Sequence, residues 1–165
     1  MYKVNDIIVY SNGGVCVIRD IGIPDFVDSK ETYYQMQSLS ETNNGTIYVK
    51  VNHDDTKLRA IITEEEANKL LANIPTMEPL YSPNDKVRDR EYNEIIKSCQ
   101  CERALCMMKG IFKERLLKTA SGKKLCMNDD RNLLRISKLL NIEFATALKI
   151  SIEQAEAKLE KALLL

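Results

Sequence analysis

The spacing of apolar residues changes once along this 165-residue chain, and it changes at Thr63. Before Thr63, short runs rich in Val, Ile, Thr and Tyr occupy 4–10, 15–21, 32–38, 46–51 and 57–62. β-branched and aromatic side chains pack well on a pleated surface, so each run is expected to be a strand. After Thr63, apolar residues recur every three or four positions, which is the spacing of one helix face. A chain divided this way is α+β, with strands first and helices second, not an alternating βαβ protein.

The strands need sharp reversals, and the sequence supplies them. Asn12-Gly13-Gly14 separates the first two runs, and Asn43-Asn44-Gly45 separates the third and fourth. Glycine and asparagine tolerate the left-handed conformation that tight turns use. Asp54-Asp55, beside the single histidine His53, marks another turn. Five such short strands cannot bury a core as a flat sheet. A small, bent SH3- or Tudor-like barrel is the expected solution.

Thr63 and Glu66 form a capping box ahead of Ala67, Leu70, Leu71 and Ile74. Pro75, Pro79 and Pro83 then interrupt helix formation. Beyond them come four stripes. These are Tyr92/Ile95/Ile96/Cys99, Leu105/Met108/Phe112/Leu116, Leu133/Ile136/Leu140/Phe144/Leu148 and Ile152/Ala155/Leu159/Ala162. Ser121-Gly122 is expected to end the second helix, Asn128 to cap the third, and Ser151 with Gln154 to box the fourth. The expected organisation is a β-barrel over 1–62, a helix and proline-containing linker over 63–83, and an all-α bundle over 84–165.

Net charge is zero overall but uneven. Residues 1–75 hold 7 basic and 11 acidic side chains, residues 76–165 hold 17 and 13, and 86–124 hold 11 and 5. An acidic front and a basic back suit different partners, the second of them polyanionic. Catalytic classes find no footing. Cys99, Cys101 and Cys106 resemble a metal cluster in spacing, but helical core spacing and the distance of His53 in sequence argue for free thiols, with Cys16 and Cys126 as core. Glu64-Glu65-Glu66 lies on a first helical turn, where acids suit the macrodipole. Met107-Met108 reads as core. No phosphate-binding glycine motif is present. No cofactor, metal or catalytic residue is therefore expected. Five unpaired-count cysteines, no apolar run of membrane length and no signal peptide point to a cytoplasmic protein.

Over essentially its whole length, and most closely in the barrel, the chain resembles the CarD family of bacterial RNA polymerase-binding transcription regulators, whose barrel is shared with the transcription-repair coupling factor. The match rests on Tyr2-Lys3-Val4-Asn5-Asp6, Ile8-Val9-Tyr10, the turn glycine Gly14, Tyr33-Tyr34, Thr46-Ile47-Tyr48-Val49 and Leu58-Arg59. More loosely, Ser98, Lys123-Lys124-Leu125 and the helix from Asp129 fit the family's helical part. Asn5 stands where the family usually has Gly, and Lys50 where it usually has Pro. The chain also has no Trp. Many relatives place a Trp wedge against promoter DNA near the position of Asp85 or Lys86.

The resemblance implies a non-enzymatic regulator, monomeric in isolation. Its barrel would bind the polymerase β subunit through the strand Thr46, Ile47, Tyr48, Val49 and Lys50. Its helical domain would contact the promoter DNA backbone near the upstream edge of the bubble. The candidates for that contact are Lys86, Arg88, Arg90, Lys97, Lys109, Lys113, Arg115, Lys118, Lys123 and Lys124. Phosphate contacts of this kind give affinity without base readout. A different class, a protein-interaction adaptor that touches no DNA, fits the same barrel without the Trp.

Overall fold

The structure is a computed structural model and describes residues 1–40, 45–52 and 58–165. It comprises two compact units, Met1–Ile61 and Ile62–Leu165. The first contains five strands: β1 (Ile7–Tyr10), β2 (Gly14–Gly22), β3 (Tyr33–Ser38), β4 (Thr46–Lys50) and β5 (Leu58–Ala60). They form one antiparallel sheet in the order β4-β3-β2-β1-β5, which leaves β4 and β5 at its edges. Asn43, Asn44, His53, Asp54 and Asp55, read from the sequence as turn residues, lie outside the described residues.

Strand alternation sorts the sheet into faces. Ile8, Cys16, Ile18, Tyr34, Met36 and Val49 are buried together on one of them, with Ile47 and Leu58 packed alongside. Burial pushes the Cys16 thiol up to about 11. β2 carries a bulge at Arg19, between the pairs Ile18↔Met36 and Asp20↔Gln35. An extra residue there bends the strand and raises its twist. Of the Asn-Gly-Gly corner, only Gly14 takes a positive φ, 68°, directly after a turn closed by Gly13 N–H donating to the Tyr10 carbonyl. Asn5, at φ 72°, occupies the same left-handed region. Asparagine is the residue that adopts it most readily after glycine.

The second unit contains α1 (Glu64–Asn73), α2 (Asp85–Ser98), α3 (Cys101–Ala120), α4 (Met127–Leu148) and α5 (Ile152–Leu164). Both capping boxes form, at Thr63/Glu66 and Ser151/Gln154. Tyr92, Ile95, Leu105, Met107, Ile111, Ile136, Leu140 and Phe144 are fully buried in its core, where the helical stripes converge. Leu116 and Ile152, at the ends of their stripes, are exposed instead.

Residues 62–83 are integral to this unit. Ala67 and Ile74 are in its core, and Ile62, Met77 and Leu80 pack on it. Leu80 N–H donates to the Cys106 carbonyl of α3 at 3.0 Å. The Lys109 ammonium donates to the carbonyls of Ile74, Pro75 and Met77, each at 2.8 Å. These bonds tie the turn after α1 to α3. Two cap and core assignments need correction. Cys126, not Asn128, precedes α4, and the Asn128 amide instead donates to the Asp89 carboxylate. Cys126 is exposed rather than core.

Candidate functional site

The β4 edge combines three features that follow from its register. Val51 N–H donates to the Thr32 carbonyl. Hydrogen-bonded pairs alternate along an antiparallel ladder, so Val49 and Ile47 also point their backbone groups at β3. Thr46, Tyr48 and Lys50 therefore turn their N–H and C=O groups away from the sheet, where an incoming strand would meet them. Their side chains are exposed as well, whereas Val49 is buried and Ile47 packs on the core. The N–H of residue 50 is not part of the ladder, so a Pro there would cost no ladder bond.

Side chains give this edge a chemical identity. Tyr48, 38% exposed, meets Phe26, 69% exposed, edge to face with ring centroids 4.9 Å apart. The Lys50 ammonium pairs with Glu31 at 2.6 Å. That hydrogen bond, and then the carboxylate charge, raise the Lys50 pKa above its ordinary value. The edge thus offers three outward backbone positions, an aromatic platform and an ion pair at one end. Sequence reading missed Phe26. Its one signal was isolation, a lone aromatic in Asp25-Phe26-Val27-Asp28 outside any strand or helix stripe.

The ten basic candidates of the helical unit separate into groups. Lys86, Arg90 and Lys97 are exposed and share one face of α2, at i, i+4 and i+11. Lys118, Lys123 and Lys124 gather where α3 ends, with Lys123 N–H bonded to the Lys118 carbonyl. Lys113 is exposed on α3, and Arg115 lies over the Phe112 ring at 4.9 Å.

Two candidates leave the set. Lys109 holds three carbonyls, as above. Arg88 is 3% exposed, and its guanidinium donates to Asp129 (2.8 Å), the Ser82 carbonyl (2.8 Å) and Asp85 (2.8 Å). Burial alone would lower its pKa, but the bonds to Asp129 and Asp85 outweigh that and raise it. The Tyr81 hydroxyl, its pKa raised by burial and then by its bond to Asp129, completes the cluster. These charges organise the fold and offer nothing to a phosphate.

Among the described residues no group of His, Cys, Asp and Glu is arranged to hold a metal, and no helix is long and apolar enough to cross a membrane. The first unit is thus a small antiparallel sheet domain with an exposed strand edge. Residues 2–62 match the family model of the CarD-like/TRCF RID domain, a non-catalytic RNA polymerase-interacting domain, and the remainder of the chain lies outside that match. No curated protein matches the chain.

Proposed function

We propose that this protein is a CarD-like transcription regulator, with the β4 edge as its tether to the RNA polymerase β subunit and the basic helical unit as its contact with promoter DNA. The observation that carries the reading is the edge itself, where Thr46, Tyr48 and Lys50 present both backbone and side chains outward within a domain of the polymerase-interacting family. Strand addition supplies affinity through main-chain bonds, and Phe26, Tyr48 and Lys50 supply selectivity. Held at the upstream edge of the bubble, the helical unit would touch phosphates non-specifically. It shifts open-complex stability by the difference in its affinity for closed and open states.

The test is capture of the polymerase β subunit by wild type and by the double variant Tyr48→Ala/Lys50→Glu. Wild type is expected to bind, and the variant to weaken by at least ~10-fold, because interface aromatics and charge pairs carry most of such binding energy. A wild type that does not bind sinks the tether.

A second reading, an adaptor that binds polymerase and no DNA, is favoured by the loss of Arg88 and Lys109 to internal contacts and by the missing Trp. Salt dependence separates the two. If Lys123 and Lys124 each contact a phosphate, Lys123→Gln/Lys124→Gln flattens the slope of log K against log salt by ~1.8. An unchanged slope removes Lys123 and Lys124 from the contact, and no salt-dependent affinity for duplex DNA favours the adaptor.

A further inference from the structure

We infer that the groove between α3, α4 and α5 is a docking site for a basic amphipathic helix of a partner protein, separate from the β4 edge and from the basic residues discussed above apart from Arg115. The groove has a volume of about 210 Å³ and a floor of Met108, Phe112, Leu133, Leu159 and Leu163. That is below the range of ~300–1,000 Å³ that encloses a small molecule, and suits a few large side chains projecting from a docked segment. Leu134, 71% exposed, stands on its wall, an apolar side chain left facing water.

A further observation points to an occupant. The rim carries Asp130, Glu156 and Glu160 against a single cation, Arg115, which lies over the Phe112 ring. None of these three carboxylates is in an ion pair among the described residues. An apolar floor under an acidic rim is complementary to a helix with an apolar stripe flanked by lysines or arginines. The apolar residues give the affinity, and the rim selects the sign of the partner's charge.

The probe is a fluorescein-labelled helical peptide with leucines at i, i+3, i+4 and i+7 and lysines beside them. A control carries glutamates in place of the lysines. Both are titrated with the full chain and followed by fluorescence anisotropy. The lysine helix is expected to bind wild type at least ~10-fold more tightly than the glutamate helix, and Glu156→Lys/Glu160→Lys is expected to erase or invert that preference. Both substituted side chains are exposed on α5, so the fold is retained. Leu134→Ser, equally exposed, tests the apolar part and is expected to weaken binding of the lysine helix several-fold. Equal binding of both peptides, binding of neither, or insensitivity to both variants overturns the proposal. So does sedimentation that shows the chain self-associating through the same groove, because a second copy is then the occupant.

Discussion

Arg88→Leu is expected to lower the stability of the helical unit by about 3–5 kcal/mol, a large share of what a domain of this size possesses. The cause is the group left behind. Asp129 is fully buried and accepts from Arg88 Nε at 2.8 Å and from the Tyr81 hydroxyl at 2.8 Å. Without the guanidinium, a buried carboxylate keeps only a neutral donor. The Ser82 carbonyl also loses its bond, and Tyr81 loses the cation that lies 4.6 Å from its ring centroid. Asp85 is the weaker partner because its side chain is 85% exposed, so Asp85→Ala costs within about 1 kcal/mol.

The double variant Arg88→Leu/Asp129→Asn separates a charge effect from lost packing. It removes both ions and recovers a good part of the loss if the unpaired charge is the cause. Urea denaturation followed by far-UV helical signal measures all three. A single Arg88 variant within about 0.5 kcal/mol of wild type shows that the cluster is not what joins α2 to α4. The result also bears on function. Weak DNA binding by an Arg88 variant then reflects a damaged fold and not a lost phosphate contact.

That cluster marks where sequence reading stops. The capping boxes at Thr63 and Ser151 were legible because each is closed by a side chain three residues away. The β4 edge was half legible. Alternation put Ile47 and Val49 on one face and Thr46, Tyr48 and Lys50 on the other, but not which face was buried; the expectation that this strand lies at the rim came from the resemblance, and the strand order agrees with it. Phe26 joins Tyr48 across 22 residues, and nothing local encodes that contact. Arg88 meets Asp129 across 41 residues and Lys109 meets Ile74 across 35. In sequence each is one more cation in a basic stretch. Local chemistry fixes caps and periods. Whether a given charge faces water or a buried partner is decided by tertiary packing, which the periodicity does not carry.

The same limit applies to Gly110, whose replacement by alanine is the second large expected effect. Glycine inside a 20-residue helix is unfavourable by about 1 kcal/mol relative to alanine, so on helix propensity alone Gly110→Ala stabilises. The surroundings reverse the sign. A Cβ built at residue 110 meets the Leu80 carbonyl oxygen at 2.0 Å and its carbon at 2.6 Å. Both are backbone atoms, so no rotamer change relieves the clash.

The segment cannot withdraw freely either. Leu80 N–H is bonded to the Cys106 carbonyl one turn earlier on α3, and Lys109, next to Gly110, holds the carbonyls of Ile74, Pro75 and Met77. To admit a methyl group, 77–81 must lift from α3, which breaks the Leu80 bond and exposes the apolar contacts of Met77 and Leu80. Overpacking of this kind costs about 1–3 kcal/mol, and contact with pinned backbone puts it at the upper end. The clash exceeds the propensity gain, so Gly110→Ala is expected to lower the urea midpoint. In amide exchange, protection at Leu80 is lost while that of the α4 core persists. A variant as stable as wild type, with Leu80 still protected, would show that α3 and the 77–81 segment are not packed this closely.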